Sequence, residues 1–169
     1  MLAAILLTSS LGATRVVPGV SLGQIKIGAP GTTLARLGRP YGGDAAMQKA
    51  WSTWLGKGSA RLDVHTAVLR DRPIVRVVRA TSTSFRTTGG LGPGTSEAMW
   101  RRAYPGARDL GTYRPPSGGP PVHLFDDVRR GLAFEVQRGQ CVAVAVHARG
   151  SRVDSSGLIP YVSQSIPRP

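Results

Sequence analysis

Arg61-Leu-Asp-Val-His-Thr-Ala-Val68 alternates apolar and polar side chains, with Leu62, Val64, Thr66 and Val68 on one face and Asp63 and His65 on the other. A period of two is the mark of a strand whose two faces meet different surroundings. Arg70-Asp-Arg-Pro73 turns the chain, and Ile74 to Thr81 returns as a second strand. The other half of the sequence does the same. Gly131-Leu-Ala-Phe-Glu-Val-Gln137 puts Leu132, Phe134 and Val136 on one face, Arg138-Gly139-Gln140 turns, and Cys141 to Ala148 runs back. Strands joined by tight glycine-bearing turns form antiparallel hairpins. Gln24-Ile-Lys-Ile-Gly28, Ala50-Trp-Ser-Thr-Trp-Leu55 and Val122-His-Leu-Phe125 read as further strands.

Helices are short. Thr32 or Thr33 caps a turn or two carrying Leu34 and Leu37, with Gly38 suited to the position after the helix and Pro40 blocking extension. Asp44 to Ala50 reads as another helical turn. The best helix begins at Thr95-Ser96, where Glu97 favours the positive dipole end. Met99 with Ala103 and Trp100 with Tyr104, each spaced by four, form its expected apolar face, and Pro105-Gly106 ends it.

The chain has 169 residues and a hydrophobic fraction of 41 %, enough for one core of ordinary size. It carries 22 Gly and 13 Pro, below the level of a wholly disordered sequence. No apolar run reaches the roughly 18 residues of a membrane span, so no transmembrane anchoring is expected. A single Cys excludes an internal disulfide framework and a cysteine-rich zinc site, and three His make a multi-histidine metal centre a poor reading. Neither a metal nor a cofactor motif is present. The net charge is +13, and 19 of the 22 basic residues are arginine. Such a surface attracts anionic polymer or lipid headgroups. The arginines are spread along the chain in pairs, Arg101-Arg102 and Arg129-Arg130, with no block that implies specific nucleic-acid binding.

Residues 1–12, Met1-Leu-Ala-Ala-Ile-Leu-Leu-Thr-Ser-Ser-Leu-Gly12, resemble the second half of a secretory signal without its positive n-region. Ser10-Leu-Gly12 is a small-x-small site. The expected location is therefore secreted or cell envelope. Cys141, within Cys-Val-Ala-Val-Ala-Val, reads as a buried small hydrophobe. Residues 149–169 form a polar, proline-containing tail.

The two halves share an order of parts. Ile27-Gly28-Ala-Pro-Gly-Thr-Thr33 and Leu91-Gly92-Pro-Gly-Thr-Ser96 each open a unit, followed by a short helix, a loop, a strand and a long hairpin. The units span 18–82 and 83–148. A period near 66–70 residues suits a duplicated small α/β unit. Gly28, Leu34, Leu37-Gly38 and Pro40 resemble the opening helix of small outer-membrane assembly lipoproteins of the SmpA/OmlA type. Two such units in tandem, with Gly92-Pro-Gly-Thr-Ser-Glu and Ala103-Tyr-Pro-Gly106 in the second, look like the β-lactamase-inhibitor-protein fold of secreted actinobacterial proteins. The resemblance covers roughly 18–148. It implies an α+β fold of two tandem α/β units sharing an antiparallel sheet, with short helices on one face, and an exported binding or inhibitory role.

Motifs for chemistry are weak. Gly19-Val-Ser-Leu-Gly23 matches the nucleophile elbow, yet Pro18 precedes it and a strand follows, so Ser21 reads as structural. Gly90-Leu-Gly-Pro-Gly-Thr95 lacks the lysine of a phosphate-binding loop. His123 with Asp126 and Asp127 reads as a solvated turn. No catalytic residue is assigned.

If Leu62, Val64, Thr66, Val75, Val77, Leu132, Phe134, Val136, Val142, Val144 and Val146 face the helices, the other sheet face carries Asp63, His65, Arg76, Glu135, Gln137 and His147 among Ala133, Ala143 and Ala145. A sheet covered on one side leaves such a face open to solvent or to a partner. The leading expectation is a non-catalytic exported module binding a protein through these six residues. The alternatives are a basic envelope protein holding anionic polymer or lipid, and a small hydrolase.

Overall fold

A computed structural model describes residues 14–46, 48–114 and 119–153. The possible signal segment and the tail beyond residue 153 lie outside the described residues. Three two-residue strands, β1 (Val16–Val17), β2 (Ser21–Leu22) and β3 (Ile25–Lys26), form a small antiparallel sheet. The remaining strands are β4 (Gly42–Ala46), β5 (Lys49–Leu55), β6 (Arg61–Leu69), β7 (Arg72–Ala80), β8 (Arg108–Tyr113), β9 (Val122–Asp127), β10 (Leu132–Gln137) and β11 (Gln140–His147). They make one eight-stranded sheet in the order β4-β5-β6-β7-β11-β10-β9-β8, antiparallel at every pairing.

The helical content is smaller than an α+β reading implies. Among the described residues a single α-helix, α1 (Glu97–Ala103), is joined by two 3-10 segments, Gly31–Leu37 and Lys57–Ser59, so this part of the chain is mostly β. Where a helical turn is expected over 44–50, residues 44–46 and 49–50 are instead paired strand residues of β4 and β5, with Ala45 opposite Ala50 and Ala46 opposite Lys49. The 3-10 segment at Gly31–Leu37 sits where Thr33 and Gly38 placed a helix. Thr33 Oγ1 donates to the Pro30 carbonyl, and Gly38 ends the segment at φ 76°, which a side chain would strain. In α1, Trp100 is fully buried while Met99 is 51 % exposed, and Ala103 is exposed as well. Only the Trp100–Tyr104 half of the expected apolar face is used.

The main core lies between the large sheet, the small sheet and α1. Val16, Leu22 and Ile25 come from the small sheet; Trp100 and Tyr104 belong to the α1 region. They pack with Leu62, Val64, Val75, Val78, Phe125, Leu132, Phe134, Val136, Val144 and Val146. Trp100 stacks on Phe134 at 4.8 Å between ring centroids, and Phe134 on Phe125 at 5.1 Å. Cys141 also faces this core; burial pushes its thiol up to about 12, helped by the nearby Glu135 charge. It is a packing residue, as its apolar run implies.

Besides a register shift between β8 and β9, two bulges nearer the centre of the sheet change which residues share a face. In β6–β7, His65 pairs with Val77 but Thr66 pairs with Val75, so Arg76 has no partner. In β10–β11, Glu135 pairs with Ala143 but Val136 pairs with Cys141, leaving Val142 as the extra residue. Each bulge shifts the alternation by one. Val75 and Val78 reach the main core, while Val77 passes to the opposite face with Trp51, Leu124, Ala133, Ala145 and Val153. That opposite face is buried too.

Candidate functional site

The second face of the large sheet gathers most of the polar chemistry. Asp63, His65, Glu135 and His147 are 2 %, 1 %, 3 % and 1 % exposed, so they do not form the open, solvated surface that one-sided covering implied. Arg76 and Gln137 are half-buried. Gln137 donates through Nε2 to the Pro120 carbonyl at 2.8 Å. Arg76 sits at the bulge, outside the ion pairs of this face, and Arg79 takes the place next to Asp63.

Arg79 organises the first of two polar clusters. Its Nη1 donates to Asp63 Oδ2 at 2.7 Å, and its Nε and Nη2 form a fork on Glu135 at 2.6 and 2.7 Å. Asp63 Oδ1 also accepts from Thr53 Oγ1 at 2.7 Å and from Arg61 Nη2 at 2.9 Å. The Tyr113 hydroxyl donates to Glu135 Oε2 at 2.5 Å. The cluster therefore ties β5, β6, β7, β8 and β10 into one unit. Asp63 and Arg79 are direct cross-strand neighbours, but Arg79 and Glu135 belong to strands separated by β11. The register places Ala145 beside Arg79 and Ala143 beside Glu135. These small side chains leave the space through which the guanidinium reaches the carboxylate. Burial alone pulls the Arg79 guanidinium down, but Glu135 and then Asp63 outweigh it and hold it well above its ordinary value. Burial, followed by the Glu135 charge, pushes the Tyr113 phenol far up, so it stays a donor.

The second cluster joins β9, β11 and the segment after β11. His147 Nε2 lies 2.9 Å from Asp126 Oδ1, and His147 Nδ1 lies 3.1 Å from the Ala148 carbonyl. Asp126 Oδ2 accepts from the Val153 backbone amide at 2.9 Å. Asp126 is thus a buried anchor for the returning chain and not the solvated turn residue its Asp-Asp context implied. Asp127 is buried as well and accepts from the Arg130 amide through Oδ1 at 3.1 Å. His123, expected alongside them, is exposed and lies 3.9 Å from Asp109 instead.

His65 stands apart. Its ring packs edge-on to Trp51 at 5.8 Å, and Nδ1 has no hydrogen-bond partner among the described residues. Burial, then the charges of Lys49 and Arg76, lowers the imidazole to about 4. It is a neutral ring at ordinary pH.

Ser21 is buried in β2, between β1 and β3, and no histidine or carboxylate bonds to it among the described residues. The described residues contain no group of His, Cys, Asp and Glu that could hold a metal. None of their helices is long and apolar enough to cross a membrane.

Sequence reasoning missed Arg79 and Tyr113, and it found Asp126 but paired it with His123 in place of His147. The signal for Arg79 was present as a third basic residue on a strand opposite Asp63, but the bulge at Arg76 hid its register. Comparison with known proteins brings no family model, curated protein or solved structure into match with this chain.

Proposed function

We propose that the protein is a non-catalytic module that binds a protein partner outside the membrane. The observation that carries this reading is the engagement of its reactive side chains with one another. Asp63, Glu135, Asp126 and His147 each bond within the chain, and Cys141 is a buried thiol facing the core. Acid–base work needs a group within hydrogen-bond reach of a substrate. Here these groups cross-link strands and stiffen a sheet, which is what a binding scaffold requires.

The mirrored topology supports the tandem reading behind an inhibitor-like role. Each half of the large sheet is a four-strand meander preceded by a helical segment, and the last strand of each half, β7 and β11, pair at the centre. Export remains part of the proposal, supported by the small-x-small segment and the single cysteine.

A second reading, attachment to anionic envelope polymer or lipid, is favoured by one contact. Arg130 Nη1 donates to the Ala103 carbonyl at 2.8 Å and its guanidinium lies over Tyr104, which brings Arg129-Arg130 up to Arg101-Arg102. All four arginines are exposed; Arg130 also lies 3.8 Å from Asp127 and Arg101 3.9 Å from Glu97, which leaves Arg102 and Arg129 as the cations outside those ion pairs.

Affinity capture from the source organism's envelope fraction tests both. A protein retained at a fixed stoichiometry and at high salt supports the first reading. Retention of polymer or lipid alone, lost steeply as salt rises, supports the second. Turnover of an ester substrate abolished by Ser21→Ala would overturn both in favour of a hydrolase.

A further inference from the structure

We infer that β4 is an acceptor edge that takes an extended, acidic-ended segment of a partner protein as a ninth strand of the large sheet; this rests on the protein-binding reading above. The large sheet has two edges, β4 and β8, and they differ. Edge strands expose unpaired N–H and C=O groups, and proteins usually blunt them with bulges, proline or lysine. β8 is blunted. Its pairing with β9 breaks between Asp109 and Thr112, Gly111 adopts φ 103°, and Asp109 Oδ1 caps the Gly111 amide at 2.8 Å. β4 is not. It pairs with β5 in unbroken register from Gly42 to Ala46, it contains no proline or lysine, and its one charged residue, Asp44, sits at its middle, away from the two ends where an acidic segment would place its carboxylates. Gly42, Gly43 and Ala45 are exposed, so a second backbone can approach without displacing a large side chain. Tyr41, immediately before β4, is 78 % exposed and offers a flat apolar flank.

Charge decides between occupants. Arg39 lies just before β4 and Lys49 just after its turn. Both are exposed, and neither makes an ion pair among the described residues. Five strand residues span about 17 Å, so the two cations bracket one short added strand. A second copy of this chain would bring another +13 against the first. An extended segment with carboxylates at its two ends complements both cations while its backbone completes the ladder, the mode known as strand addition.

The probe is a synthetic peptide of alternating valine and threonine between two glutamate pairs, with a control carrying lysine pairs, added to the full chain. The glutamate peptide should protect from hydrogen exchange those amides of Gly42–Ala46 that point away from β5, and the lysine peptide should bind at least about tenfold more weakly. Neighbouring residues of an antiparallel edge strand direct their amides alternately inward and outward. One of Asp44→Pro and Ala45→Pro should therefore abolish binding with little change in melting temperature. Arg39→Glu with Lys49→Glu, which leaves the backbone intact, should weaken binding about tenfold or more. Protection at β8 or at the α1 arginines, equal binding of the two peptides, no binding, or a chain dimer with Gly42–Ala46 already protected would each overturn the inference. Capture from the envelope fraction separates the two levels. A partner held equally by wild type and by both proline variants removes the edge assignment and keeps the binding module, whereas no partner at all removes the binding module.

Discussion

Arg79 Nη1 donates to Asp63 Oδ2 at 2.7 Å across the register pair that joins β6 to β7, while the other arm of the same guanidinium holds Glu135. One buried cation thus serves two buried carboxylates. Removing one member of such a set strands its partners in a medium that cannot solvate them, at a cost of about 3–5 kcal/mol. Arg79→Met is expected to lose about that much stability in urea unfolding. Arg79→Lys should recover little, because an ammonium cannot form the fork. Arg76→Ala, at the bulge and outside these ion pairs, should change stability by less than about 1 kcal/mol. An Arg79→Met protein with the wild-type midpoint would show that the cluster contributes nothing.

The His65 imidazole gives a pH signature. Burial, then Lys49 and Arg76, lowers it from 6.5 to about 4. Below pH 6.5 the unfolded chain takes up a proton that the folded chain refuses until about pH 4. The group therefore costs nothing above pH 6.5, and its burden on stability grows as pH falls through that window, by at most about 1.4 kcal/mol per pH unit. His65→Leu removes the burden. The stability difference between variant and wild type should move in the variant's favour by up to about 2 kcal/mol between pH 7 and pH 5. Parallel pH profiles would contradict the neutral ring.

The strands were legible because alternation is local. Leu62 and Val64, and Leu132, Phe134 and Val136, face the main core as their spacing implies. The faces became illegible at the two bulges, since an inserted residue leaves no mark on a pattern that is counted by twos. Val77 crosses to the second face for that reason, and Arg79 replaces Arg76 beside Asp63. The alanines at 143 and 145 were visible, but their use was not. A small residue signals room, and only the tertiary register shows that the Arg79–Glu135 pair fills it. β8 escaped notice because Arg108-Asp-Leu-Gly-Thr-Tyr113 has neither clean alternation nor an apolar run.

The aromatic stack in the main core sets a contrast that checks the α1 face. Phe134 is fully buried between Trp100 and Phe125. Phe134→Ala is expected to cost about 3–5 kcal/mol, the usual effect of emptying a buried aromatic site. Met99, one residue before Trp100, is half in solvent, and Met99→Ala should cost no more than about 0.5 kcal/mol. Equal losses from the two substitutions, measured by chemical denaturation, would place Met99 in the core and rotate α1.

Asp126 makes the sharpest prediction, because its two neighbours differ in what they need. Val153 presents an N–H to Oδ2, while both ring nitrogens of His147 face oxygen acceptors, Asp126 Oδ1 and the Ala148 carbonyl. A neutral His147 donates from one ring nitrogen and accepts at the other, so its tautomer sets which of the two contacts it donates to. Asparagine suits the tautomer that donates from Nδ1 to Ala148. Its carbonyl accepts from Val153, and its amide donates to the bare Nε2 of a neutral His147. Asp126→Asn is therefore expected to stay within about 1 kcal/mol of wild type and to keep the Val153 amide protected from exchange. Asp126→Ala removes both bonds and should cost about 2–4 kcal/mol, with exchange at Val153 accelerating before exchange in β10 and β11. If Asp126→Asn is as damaging as Asp126→Ala, the charge of the pair and not its hydrogen bonds holds the returning chain against the sheet.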